Sequence, residues 1–187
     1  DIGGLRAVLD TLPGVRKLEA DYSKSRFEHE LVSKKDYISE PKTDGYRSIH
    51  LVFKYKNRLA PDYDGLRLEL QLRSKLQHAW ATAVETMGTF LGQALKSRQG
   101  EAQWLKFFEV TGSAFAFLED SPLVPGYEKL NQQDTFQLVA EADEELKVLE
   151  KLRGFTLAVD TIAQGKAGSY RGVRFRAKKG EHFSLFS

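Results

Sequence analysis

Cysteine is missing altogether from the 187 residues, which rules out disulfides, thiolate metal sites and cysteine nucleophiles. Chemistry has to come from carboxylates, basic groups and hydroxyls. There is no run of 18 uncharged apolar residues, and the N-terminus lacks the basic-then-apolar order of a secretory signal. The expectation is a cytoplasmic protein with no membrane partner. An excess of either charge is lacking too. Twenty-eight Lys and Arg face 26 Asp and Glu, a net charge of +2, which is too little for a nucleic-acid coat protein. A small phosphorylated ligand, met by locally clustered cations, suits that balance. Length and a 41% hydrophobic content fit one globular domain over residues 1–187. The sequence opens on Asp1, so the N-terminal part of that domain is expected to lie further upstream. Residues 133–187 read as a helical and hairpin extension.

Glycine and proline mark where the chain turns. Gly4 to Leu9 is short and, Arg6 excepted, apolar; it predicts a buried strand leading into a helix over about Pro13 to Tyr22. Lys34 to Tyr46 is polar, holds Pro41 and Gly45, and reads as a loop feeding a strand over Arg47 to Tyr55. Residues 66–73 alternate strictly. Leu66, Leu68, Leu70 and Leu72 share one strand face, and Arg67, Glu69, Gln71 and Arg73 share the other. From Lys75 to Leu95 apolar residues recur at helical spacing, predicting an amphipathic helix suited to cover the leucine face. Further helices are expected over Ala102 to Leu118 and, capped by Asp134, on to about Ile162. Val173, Phe175, Phe183 and Leu185 around Lys179-Gly180 suggest a terminal hairpin. This order gives an α+β fold, a mixed β-sheet packed with helices.

The stripe Arg67, Glu69, Gln71, Arg73 reads either as the wet face of an antiparallel sheet or as a site. Ser48 and His50 share one parity of the neighbouring strand, so two strands can contribute to one polar face. A carboxylate flanked by cations on a rigid strand can hold a divalent metal while arginines bind phosphate oxygens. Asp1 is a second candidate ligand, and magnesium takes one or two protein carboxylates and completes its shell with water and substrate phosphates. In the adjoining segment Tyr46 can stack on a base while Lys42 and Arg47 balance phosphate charge. No Walker lysine or Rossmann glycine triplet follows Gly3-Gly4.

Four ordered blocks carry a more specific signal: Asp1-Ile2-Gly3-Gly4-Leu5-Arg6, Asp36-Tyr37-Ile38 through Pro41-Lys42, Gly45-Tyr46-Arg47-Ser48-Ile49-His50, and Glu69-Leu70-Gln71-Leu72-Arg73-Ser74. In order, they resemble the motif blocks of RelA/SpoT synthetase domains, over residues 1 to about 90. The resemblance implies a nucleotidyltransferase-like synthetase fold and a magnesium-dependent transfer of pyrophosphate from ATP to the 3′-hydroxyl of GDP or GTP. It casts Asp1 as a magnesium ligand and Glu69 as a second ligand or the base for the 3′-hydroxyl. It casts Arg6 as the arginine stacked on the ATP adenine and Tyr46 as the ring under the acceptor base. Lys42, His50, Gln71 and Arg73 become the polar residues around that base. Two departures stand out. The family's Arg-x-Lys segment would lie before Asp1, and Val84-Glu85 stands where small stand-alone synthetases carry a Glu-His pair. None of His29, His50, His78 or His182 is followed by aspartate, so the family's His-Asp hydrolase motif is missing and synthesis without hydrolysis is expected.

Two other readings stay open. Toxin-like relatives pyrophosphorylate adenine nucleotides or the 3′ end of tRNA, with an antitoxin or regulatory partner; a tRNA acceptor would need a basic surface, for which Lys34, Lys35 and the cations Arg171, Arg174, Arg176, Lys178 and Lys179 are the candidates. The third is a non-catalytic nucleotide sensor, which has no need of Asp1, Tyr46 and Glu69 together.

Overall fold

The computed structural model describes residues 3–24, 28–92, 95 and 101–163, so Asp1 and the terminal hairpin with its cations lie outside the described residues. The chain divides into two compact units, residues 1–148 and 149–187, and the elements of the site all belong to the first. Four strands, β1 (Gly3–Leu9), β2 (Glu30–Asp36), β3 (Ile49–Lys54) and β4 (Arg67–Ser74), form one mixed sheet in the order β1-β4-β3-β2. β1 runs parallel to β4, and the other pairs are antiparallel. With helices α1 (Leu12–Lys24), α2 (Lys75–Leu91), α3 (Ala102–Leu118), α4 (Gln132–Leu146) and α5 (Val148–Ala163), the fold is α+β.

The alternation of β4 sets the register. Leu72 stands opposite Ile49 on one side and Ala7 on the other, and Leu70 opposite Leu51 and Leu5. Leu70, Leu72, Ile49 and Leu51 form a core with Val15 and Ile38 in which Val15, Ile49, Leu51 and Leu72 are fully buried, each burial being worth about 1.5–3 kcal/mol. Leu5 and Val8 are exposed, so β1 is an edge strand and not the buried strand its apolar run suggested. The covering helix is α1, contributing Val15, Leu12 and Leu18, and not α2 as the apolar spacing suggested. Only Asp10 and Thr11 separate β1 from α1, so the chain folds straight back onto the sheet. The Thr11 hydroxyl accepts the Gly14 N–H, and Pro13 sits in the first turn, where it leaves no needed donor unmade. α2 begins where β4 ends, closed at its start by a reciprocal Ser74–Gln77 capping box and at its end by Gly92 in the left-handed region. It packs toward Tyr46 and α3 through Trp80.

Two further expectations need correcting. The polar segment from Lys34 is not all loop, because Lys34, Lys35 and Asp36 end the edge strand β2, which is largely exposed and needs no apolar alternation to pair. The helix expected from Asp134 to Ile162 is two helices. Asn131, rather than Asp134, caps α4, and Lys147 at φ 54° breaks the run between α4 and α5. A lysine at that turn left no glycine or proline to read.

Candidate active site

The second parity of the sheet carries the polar stripe. Register places Arg6 of β1, Gln71 of β4, His50 of β3 and Lys35 of β2 in one row across all four strands, with Glu69 in the next row beside Gly4 and Val52. A side chain at Gly4 would meet nothing within 4 Å, so the row of Glu69 is bare on its β1 side. Arg6 is exposed on the edge strand.

These side chains satisfy one another. Glu69 Oε1 lies 2.6 Å from His50 Nδ1, and Glu69 Oε2 accepts from Gln71 Nε2 at 2.9 Å. The Tyr46 hydroxyl lies 2.7 Å from His50 Nε2 and accepts from Arg73 Nη2 at 2.7 Å; Arg73 also reaches Gln71 Oε1. Burial opposes ionisation of Glu69. Hydrogen bonds from the Gln71 amide and the His50 ring, with the charge of Arg73, outweigh it and hold the carboxyl below its usual range. His50 is pushed down chiefly by burial, against the pull of Glu69. Both directions fit a neutral imidazole that donates from Nδ1 to an ionised carboxylate and accepts the tyrosine proton at Nε2. Arg73 is 3% exposed, and its Nε has no partner.

Tyr46 is presented by a stiff turn. Gly45 N–H donates to Lys42 O, Lys42 N–H to Tyr46 O, and Tyr46 N–H to Asp44 Oδ1. The Lys42 ammonium stands over the rings of both Tyr46 and Tyr37, at 5.1 and 4.6 Å from their centroids, a placement that attracts a cation to the ring face. Arg47 is different. It is 4% exposed, and its guanidinium donates to Gly112 O at 2.5 Å and Pro122 O at 2.9 Å. Burial lowers its pKa to about 10, against the charge of Glu119. The structure thus brings Glu69, Gln71, Arg73, His50, Tyr46 and Lys42 together, sets Arg6 in the same row, and turns Arg47 away into the packing under α3.

Several residues at the site escaped sequence reasoning. Tyr37 meets Tyr46 and His50 edge-on at 5.9 and 5.3 Å; its place in a motif block was the available signal. Lys35 enters by register alone. Trp80, whose Nε1–H donates to Phe108 O, packs 6.4 Å from the Tyr46 ring. Beside it an apolar cleft is lined by Tyr46, Trp80 and Phe108, with Asp44, Glu85 and Glu109 at its wall. His78 has a buried Nδ1 without a partner, and burial with the charges of Arg6 and Arg73 depresses its pKa.

No cluster of three or more metal-binding side chains occurs among the described residues. The donor set is still compatible with magnesium, a hard cation that asks for one or two carboxylates rather than a protein cage. Glu69 is ionised, and each of its oxygens has further lone-pair capacity. No described helix is long and apolar enough to cross a membrane.

Residues 1–88 match the model of the region found in RelA / SpoT proteins. Those 88 residues, a little under half of the chain, are thus similar to a RelA/SpoT region. Two curated relatives from Bacillus subtilis strain 168 align with 82 residues of it: GTP pyrophosphokinase YwaC at 29% identity and GTP pyrophosphokinase YjbM at 32%. Each alignment covers 44% of this chain, and 39% and 38% of the respective relative, so the chain matches well under half the length of either. Among solved structures, small alarmone synthetase 1 from B. subtilis, bound to its product pppGpp, superposes with TM-score 0.52 at 21% identity, over 63% of this chain and 57% of that one. Small alarmone synthetase 2 from the same organism gives 0.52 at 22%, over 64% and 62%. At such identities the likeness concerns the fold. The sheet and stripe described above lie within the matched residues 1–88, whereas α3 and α4 follow them.

Proposed function

We propose that the protein is a cytoplasmic, magnesium-dependent pyrophosphokinase that moves the β,γ-pyrophosphoryl group of ATP to the 3′-hydroxyl of GDP or GTP. The observation that carries this reading is Glu69, an ionised carboxylate held at both oxygens by His50 and Gln71 and joined through His50 to Tyr46. In the transfer the 3′-oxygen attacks the β-phosphorus in line, the bond from that phosphorus to the α,β-bridging oxygen breaks, AMP leaves, and the hydroxyl proton passes to Glu69. Tyr46, fixed at its hydroxyl, is the stacking platform for the acceptor base, and Arg6 stacks on the donor adenine. Arg73 and Lys42 meet phosphate charge, with Gln71 and His50 orienting the base catalyst. Magnesium held by Glu69 and Asp1 would neutralise the charge developing on the transferred group. The names of the curated relatives support a guanine acceptor.

The test is incubation of the protein with magnesium, γ-labelled ATP and, separately, GDP, GTP, AMP, ADP, ATP or bulk tRNA. Label is expected on a guanine nucleotide and nowhere else. Label on an adenine nucleotide or tRNA would replace the acceptor. Nucleotide binding without transfer would make the protein a sensor.

A further inference from the structure

Tyr46 is held at its hydroxyl by His50 and Arg73, but its backbone is held from elsewhere. Both sequence neighbours of Tyr46 are fastened to α3, which lies beyond the matched residues 1–88. On one side, Arg47 extends a buried guanidinium to the Gly112 carbonyl in α3 and to Pro122 in the connection that follows it. On the other, Gly45 at φ 93° lies so close to α3 that a Cβ there would stand 2.9 Å from Phe108 O and 3.0 Å from Trp80 Cζ2. A Cβ on Gly112 would stand 2.9 Å from the Gly45 Cα and 3.1 Å from its carbonyl oxygen. Backbone meets backbone with no side chain between, so the turn cannot shift relative to α3 without losing contact or colliding. The Trp80 indole, donating to Phe108 O, closes the same corner.

We propose that Arg47, Gly45 and Gly112 form a brace through which α3 sets the position of the Tyr46 ring, so that α3 is a working part of the acceptor site. The inference rests on Tyr46 being the stacking platform. Arg47 touches no substrate and is a positioning residue. Its Nε has no partner, and beyond a long contact to Gly45 O in the turn itself its charge is met by the carbonyls of Gly112 in α3 and Pro122 just after it, so seating of that segment makes the brace specific. Gly112 is the more discriminating probe, because alanine favours the helix itself and opposes only the approach of Gly45.

The experiment compares wild type with Gly112→Ala and Arg47→Lys in the complete chain, measuring KM for the acceptor and for ATP together with kcat. Acceptor binding is read independently of turnover by quenching of Trp80 fluorescence, with Trp104→Phe as the common background. Acceptor KM and the binding constant should rise about tenfold in Gly112→Ala, on the scale at which small displacements of a binding group are felt. KM for ATP should stay within about twofold, and Arg47→Lys, which keeps one prong of two, should fall between. Acceptor and donor constants moving together would reduce the brace to ordinary folding support, and no change in either would remove it. If wild type quenches with no nucleotide, the platform reading falls and the brace with it. If wild type binds and transfers while Gly112→Ala matches it, the brace alone falls.

Discussion

The two faces of β4 contrast within eight residues. On one, Leu70 and Leu72 are buried against β3 and α1 with no requirement beyond shape. On the other, Glu69, Gln71 and Arg73 are also largely withdrawn from water, yet each is held there by hydrogen-bonded neighbours: Glu69 by His50 and Gln71, Gln71 by Glu69 and Arg73, and Arg73 by Tyr46 and Gln71. Polar groups at such depth are costly unless satisfied, so the second face is organised by pairing where the first is organised by volume. The leucine face therefore carries stability, and the polar face carries the groups that the proposed transfer would use, on a surface that the leucines keep rigid. Substitutions on the two parities should separate accordingly.

The largest separation is expected between Glu69→Gln and Leu72→Ala. Glu69→Gln keeps shape and one acceptor for His50 but removes the charge, and should lower kcat by about 10²–10⁴-fold, the usual contribution of a general base. Its urea midpoint should stay close to wild type. Leu72→Ala opens a cavity in a fully buried position and should cost about 2–5 kcal/mol in urea unfolding. The fraction still folded should turn over at close to the wild-type rate. Equal unfolding midpoints for the two variants would abolish the distinction between the faces.

A finer separation is available at Tyr46. Tyr46→Ala removes the ring and should weaken acceptor binding by about 1–3 kcal/mol, the range for loss of one base stack. Tyr46→Phe keeps the ring but strips His50 Nε2 and Arg73 Nη2 of a shared partner. It should cost about 1–3 kcal/mol of stability, the penalty for groups left unpaired, with acceptor KM nearly unchanged. Titration of both variants with GDP, followed by urea unfolding, reads the two effects apart. An acceptor KM that rises equally in both would mean that the hydroxyl, not the ring, meets the ligand.

How much of this was written in the sequence follows from the range of the forces involved. The alternation of residues 66–73 is local, and it fixed both faces of β4 and the common face of Glu69, Gln71 and Arg73. The spacing from Lys75 fixed the existence of α2, but which helix covers the leucines depends on the two-residue link from β1 to α1, a matter of topology. Arg47 shows the same limit more sharply. In the chain it sits between Tyr46 and Ser48 and reads as one more phosphate ligand; in the fold its partners are carbonyls 65 and 75 residues away. Lys35 and Tyr37 joined the site only through the pairing of β2 with β3 and the packing of the turn on His50. Lys147 gave no sign that it would take the left-handed conformation.

The smallest expected effect lies at the rim of the leucine face, where α1 is locked to β2. Arg16 Nη1 donates to Asp36 Oδ2 at 2.6 Å and to Glu19 at 3.0 Å; Asp36 also accepts from the Ile38 and Ser39 amides and the Ser39 hydroxyl; and Lys34 pairs with Glu19. Burial raises the Asp36 pKa, but hydrogen bonds from Arg16 and Ser39 and the charge of Arg16 overcome it, and the net shift is downward from 3.8. A carboxyl depressed in the folded state contributes stability that is fully present above its unfolded pKa and is lost as pH falls through the folded value. Asp36→Asn should therefore be less stable than wild type near pH 7 by about 1 kcal/mol or less, since the pair is still partly open to solvent. The difference should shrink as pH is lowered from 5 to 3. Other carboxyls, Glu69 among them, titrate in both proteins and cancel in the comparison. Urea midpoints of the pair at pH 7, 5 and 3 check this. A gap that persists undiminished at pH 3 would assign the contribution of Asp36 to its neutral hydrogen bonds in the 36–39 turn and leave the rim of the leucine face without an electrostatic lock.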